Sequence, residues 1–185
     1  MKQRGYVLVV SLIFLTIMSM LAAMMFGGFT MDEKMSGNYR EKSRSLDAAQ
    51  ASLNHAANWL AQAGNVYTGV WNTGSTCSGN VTGSVSTPTV CSDAFSLSNV
   101  TSPSNWYAYY SYVPPTTVLN VSSSGIGNYS SNPKYHIQYI GTTSANPPSA
   151  LYAVDATATG GNSSATTVVR AVYQVTATSR DIGGG

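Results

Sequence analysis

An apolar run from Tyr6 to about Phe29, broken only by Ser11, Thr16, Ser19 and Gly27-Gly28, constrains this chain more than any other feature. At about 1.5 Å per helical residue, roughly 20 residues cover a hydrocarbon core of about 30 Å, so the run is long enough to span a bilayer. Lys2 and Arg4 precede it, and the positive-inside rule keeps such an N-terminus cytoplasmic and sends the rest of the chain across the membrane. A secretory signal peptide fits less well. Its apolar region runs to about 7–15 residues and ends at a small-residue cleavage site, whereas this run continues into a helical pattern.

That pattern begins after a charged segment, residues 30–42. Leu46, Ala49, Leu53, Ala57 and Leu60 then recur at helical spacing and form one apolar stripe. Gly64-Asn65 supplies a stop signal. One helix over residues 6–63 is therefore expected, about 85 Å long at 1.5 Å per residue, membrane-spanning over about 6–29 and amphipathic over about 42–63. Gly27-Gly28 and Gly37 are its weak points.

The remainder must supply a head. Residues 64–104 are dense in Gly, Ser, Thr and Asn, lack periodicity, and read as a connecting loop. Cys77 and Cys91 fall within it with no His or second Cys pair to complete a zinc site, which favours a disulfide closing a sub-loop outside the cytoplasm. Residues 105–185 carry strand-like runs at 106–113, 116–121, 135–140, 151–159 and 166–178. Tyr135, Ile137 and Tyr139 share one face of the third, and Val169, Ala171, Tyr173 and Val175 share one face of the last. Gly160-Gly161-Asn162 reads as a hairpin turn between the last two, and Pro114-Pro115 and Pro147-Pro148 as breaks. The fold class expected is α+β, with an antiparallel sheet burying one face against the stripe of Leu46, Leu53 and Leu60.

Charge narrows the function classes. Charged residues make up 9% of the 185 and the formal net charge is +2. Ordinary domains carry roughly 25%, so broad electrostatic binding of nucleic acid has little to act through. The two histidines, His55 and His136, show no partner at metal or triad spacing, and beyond Gly64 the only carboxylate side chains are Asp93, Asp155 and Asp181. No Gly-x-Ser-x-Gly elbow or phosphate-cradling loop is present, so neither an enzyme nor a cofactor is expected. One feature points to a binding surface. In Trp106-Tyr107-Ala108-Tyr109-Tyr110-Ser111-Tyr112, alternation sets Trp106, Ala108 and Tyr110 against Tyr107, Tyr109 and Ser111, which makes one set core and the other a candidate contact with a subunit or a glycan.

Two blocks carry a family resemblance. Arg4-Gly5-Tyr6-Val7-Leu8-Val9-Val10-Ser11-Leu12 resembles a prepilin cleavage region. Met31-Asp32-Glu33-Lys34-Met35-Ser36-Gly37-Asn38-Tyr39-Arg40, followed by Leu46-Asp47-Ala48-Ala49-Gln50-Ala51-Ser52-Leu53, resembles the PilX family of type IV minor pilins. The resemblance implies a pilin-like architecture and a leader, residues 1–5, cut after Gly5 by a prepilin peptidase that methylates the new amino terminus on Tyr6. It implies partners among other minor pilins, the major pilin, the assembly platform and a large tip adhesin. It also implies a place in the inner membrane, with the head outside the cytoplasm, and later in the extracellular pilus.

Two departures stand out. Tyr6 replaces the more usual Phe, and Val10 stands where major pilins carry a Glu, five residues into the mature chain. In a filament that carboxylate neutralises a neighbour's buried amino-terminal charge, which left unpaired costs several kcal/mol. A chain without it is expected at the tip or in sparse copies, priming assembly and supporting adhesion and twitching motility. A tip pseudopilin of a type II secretion system, and a head that is itself adhesive, are the alternatives.

Overall fold

The computed structural model describes residues 4–62, 64–78, 83–95, 102–113 and 129–176. Two compact units divide the chain, residues 1–40 and 41–185, and helix α1 (Arg4–Ala61) runs through both.

In the first unit every described side chain from residue 6 to residue 40 is exposed, including Leu8, Phe14, Met18 and Phe26. Among the described residues α1 is the one helix long and apolar enough to cross a membrane. Three hydroxyls within the apolar run are satisfied locally, with Ser11 Oγ donating to the Leu8 carbonyl at 2.9 Å, Thr16 Oγ1 to Ile13 at 2.8 Å and Ser19 Oγ to Thr16 at 2.9 Å. Bonded to the preceding turn, these groups do not present unpaired donors to lipid.

Helix α1 ends at Ala61, shortly before the Gly64-Asn65 signal and short of the end expected at residue 63. Gly64 takes φ +93°, a left-handed conformation that disfavours a Cβ, and Asn65 Nδ2 donates to the Trp59 carbonyl at 2.7 Å, occupying an acceptor the last turn leaves open.

Among the described residues the second unit has six strands: β1 (Ser84–Val85), β2 (Val90–Cys91), β3 (Tyr109–Ser111), β4 (Lys134–Thr142), β5 (Ser149–Thr159) and β6 (Thr166–Thr176). The sheet order is β1-β3-β4-β5-β6, with β2 also pairing β4. The α+β pilin-like class expected from sequence holds, but the sheet is mixed. β3, β4, β5 and β6 pair antiparallel, while β1 lies parallel to β3 and β2 parallel to β4. The parallel pairs come from residues 64–104, the stretch read as loop. Two-residue strands carry no periodicity to read, and their pairing is decided by chain far away in sequence.

Other differences concern extent. The run at 106–113 narrows to β3, because residues 103–105 form a 3-10 turn and Ala108 adopts φ 47°. The run at 116–121 lies outside the described residues. Between β5 and β6 the hairpin closes with Gly160 N donating to the Ala165 carbonyl at 2.8 Å, and Gly161 N donates to the Glu41 carboxylate of α1. A Cβ on Gly160 would meet the Glu41 carbonyl oxygen at 2.7 Å, so only glycine allows the hairpin to approach the helix this closely.

The core lies between α1 and one sheet face: Ala56 and Leu60 against Tyr135, Ile137, Tyr152, Val154 and Ala156, with Val66 and Val90 beside them. The buried seam of the helix shares Ala49 and Leu60 with the expected stripe but is turned away from the rest of it. Leu46 is exposed and Leu53 only half-buried, while Ser45, Ala49, Ser52 and Ala56 are each 0% exposed. The sheet supplies the large side chains here, so the helix must present small ones to come close. Its buried serines remain satisfied, Ser52 Oγ donating to the Ala49 carbonyl at 2.8 Å and Ser45 Oγ bonding Thr167 Oγ1 at 2.5 Å.

Candidate functional site

On the sheet face turned from α1, the register sets His136 opposite Asp155 and Asp155 opposite Arg170. Asp155 is fully buried, and Arg170 binds it through Nε to Oδ1 at 2.6 Å and Nη2 to Oδ2 at 2.8 Å. His136 is also fully buried. Its Nδ1 lies 3.2 Å from the Tyr107 carbonyl and 3.3 Å from that of Ala108, which makes Nδ1 the protonated nitrogen, and Phe95 stacks on the ring with centroids 4.2 Å apart. Burial lowers the His136 pKa, outweighing the carbonyls and the carboxylates of Asp155 and Asp93 that act to raise it. With Nδ1 turned to backbone, this His, Asp and Arg do not form the relay a nucleophilic enzyme needs.

The aromatic run covers this row. Trp106 is 4% exposed and meets Phe95 edge-on at 5.3 Å. Tyr107 is half-buried, and its hydroxyl donates to Asp93 Oδ2 at 3.2 Å. Burial, and then the Asp93 charge, push that hydroxyl up to about 12. Tyr109 is half-buried beneath Lys134 Nζ, 4.2 Å from its ring centre. The fully alternating strand expected over 106–112 does not form, so Trp106, Tyr107 and Tyr109 pack together over one face. His55 stacks 5.7 Å from Tyr110 and hydrogen-bonds the Tyr135 hydroxyl at 3.0 Å, and burial lowers its pKa.

Cys77 and Cys91 form a disulfide with a sequence separation of 14. Closing a loop of that size contributes about 3 kcal/mol in the chain-entropy model. Asp93 lies beside the disulfide, and although two sulfurs and a carboxylate sit together there, the bonded sulfurs are not thiolate ligands. The carboxylate accepts from the Cys77 N–H at 2.7 Å and the Ser78 N–H at 2.9 Å. Burial alone pushes its pKa up, but these hydrogen bonds outweigh it and hold the carboxyl at about 2. Both carboxylates of the head among the described residues thus serve structure, and Asp181 lies outside them.

Tyr6 and Val10 sit on the exposed helix surface of the first unit, 76% and 42% exposed, and the side-chain environment of Gly5 lies outside the described residues. Sequence reading missed the parts played by Asn132, Lys134 and Asp93. Lys134 carried a faint signal, as one of three cations beyond Gly64, with Arg170 and Arg180.

Residues 4–54 match the family model described as PilX N-terminal. Neither the curated proteins nor the solved structures hold a match to the chain.

Proposed function

We propose that this chain, a PilX-family type IV pilin by its N-terminal domain, is a minor pilin that acts in filament assembly or priming at or near the pilus tip. The observation that carries the reading is Val10. It lies on an apolar helix surface whose side chains from residue 6 to residue 26 are all exposed, a surface suited to lipid before assembly and to other pilin helices afterwards. A carboxylate at this position would serve a neighbour's amino terminus, and Val10 offers none.

The head is then outside the cytoplasm, consistent with its disulfide, and Tyr6 is the methylated first residue after cleavage at Gly5. Its partners are other minor pilins, the major pilin, the assembly platform and a large tip adhesin, and adhesion and twitching motility depend on it through pilus number. Deleting the gene, with and without retraction, and counting surface pili is the test. Fewer pili in the retracting strain is the expected result, and normal numbers in both strains would overturn the priming role. Val10→Glu should leave membrane insertion intact, and finding the wild-type chain as the dominant repeating subunit would defeat the tip assignment.

A further inference from the structure

A groove of about 500 Å³ opens where β4 begins and β5 ends, between the 3-10 turn at Pro103 and the β5–β6 hairpin. Hydroxyl side chains rim it, among them Ser104, Thr159, Ser163 and Thr166. Two lining groups have complementary needs. Lys134 is half-buried, donates to the Pro103 carbonyl at 2.6 Å and lies over the rings of Tyr109 and Trp106, at 4.2 and 5.6 Å. No carboxylate among the described residues forms an ion pair with it. Asn132 Oδ1 is buried and accepts no hydrogen bond from the described residues.

A half-buried ammonium without a counter-charge calls for an anion, and a buried carbonyl oxygen without a donor calls for an O–H or N–H. Burial already lowers the Lys134 pKa, the mark of a charge kept at a cost that an anion would relieve. Sulfate brings the charge but no donor. A neutral sugar brings donors but no charge. A sugar acid brings both on one rigid ring, and the volume lies within the range of roughly 300–1,000 Å³ common to small-molecule sites.

We propose that this groove binds a carboxylated sugar, its carboxylate on Lys134 Nζ and a ring hydroxyl donating to Asn132 Oδ1. The site is independent of the filament role, because every residue in it belongs to the head.

The test is an amide-shift titration of the isotope-labelled full chain in detergent micelles. The probes are sodium glucuronate, its uncharged methyl ester, glucose and sodium sulfate. Glucuronate should bind saturably, shifting the amides around Asn132 and Lys134, and about tenfold more tightly than each of the other three. Lys134→Gln should bring glucuronate to the level of its ester, and Asn132→Leu should weaken glucuronate and ester together. A hyaluronan tetrasaccharide binding more tightly than glucuronate would assign the ligand to a polysaccharide, and equal binding to the monomer, both within the proposal. Sulfate binding as tightly as glucuronate would reduce the groove to an anion site and overturn it. So would equal affinity for glucuronate and its ester, a comparison made on the wild-type chain that stands even if the variants do not fold. Absence of saturable glucuronate binding would overturn it outright.

Discussion

Arg170 holds Asp155 through two parallel hydrogen bonds, 2.6 and 2.8 Å long, across β5 and β6, with the Arg170 side chain 37% exposed and that of Asp155 wholly buried. The difference in exposure makes the pair asymmetric. Removing the arginine strands a carboxylate that cannot reach water, whereas removing the aspartate leaves a guanidinium that can turn outward.

Arg170→Ala is therefore expected to destabilise the head by about 3–5 kcal/mol, and Asp155→Ala by distinctly less. The double substitution Asp155→Leu with Arg170→Met should recover most of the loss, because an apolar pair of similar volume needs no desolvation of charge. Thermal unfolding of the chain in micelles, followed by near-ultraviolet circular dichroism, measures the order, and equal losses for the two single variants would contradict it.

Acidification should weaken the head through its histidines. The His136 and His55 pKa values both lie below the unfolded value of 6.5, burial being the main cause in each. The unfolded chain then takes up protons first as pH falls, so stability is whole above about pH 6.5 and declines below it toward the folded-state pKa values. His136→Phe, which preserves stacking on Phe95, should flatten part of this slope. An unchanged slope in a melting series from pH 7.5 to 5 would count against the assignment.

Asp93 acts lower on the pH scale, and its pKa too is lowered on folding, through hydrogen bonds to its charged form instead of burial of a neutral one. Its carboxyl falls from 3.8 to about 2 on folding, so the stability it contributes is present above pH 3.8 and is lost as pH drops from there to about 2. Asp93→Asn should remove that acid-dependent step and loosen the loop around Cys77 and Ser78 at neutral pH. Amide exchange at those two residues, which bind the carboxylate directly, is the readout.

Gly74 tolerates no side chain. It sits at φ +74°, and a Cβ would meet the Val90 carbonyl oxygen at 2.5 Å and the Val90 carbonyl carbon at 2.7 Å. Gly74→Ala should cost roughly 1–3 kcal/mol through the unfavourable backbone and the displaced strand. Gly69→Ala, where nothing lies within 4 Å, is the control for the backbone part alone, since its φ is also positive at +95°.

Long-period features were legible without the fold. The apolar run, the stop at Gly64-Asn65, the alternation of Tyr135, Ile137 and Tyr139, and the PilX-type segment each depend on residues near one another in sequence, where periodicity and end signals act. Local chemistry also favoured the Cys77–Cys91 bond. Tertiary structure decided what depends on chain brought from afar. The helix turns its small residues, Ser45, Ala49, Ser52 and Ala56, inward because the sheet opposite supplies the bulk, and the leucine stripe read from sequence is only partly buried as a result. β1 and β2 exist because β3 and β4 offer them partners. Asp155 can be buried only because register places Arg170 beside it, and Lys134 and Asn132 meet at one groove because a turn and a hairpin close around them. Pattern along the chain sets which faces are apolar, while burial, charge pairing and cavities follow from what packs against those faces.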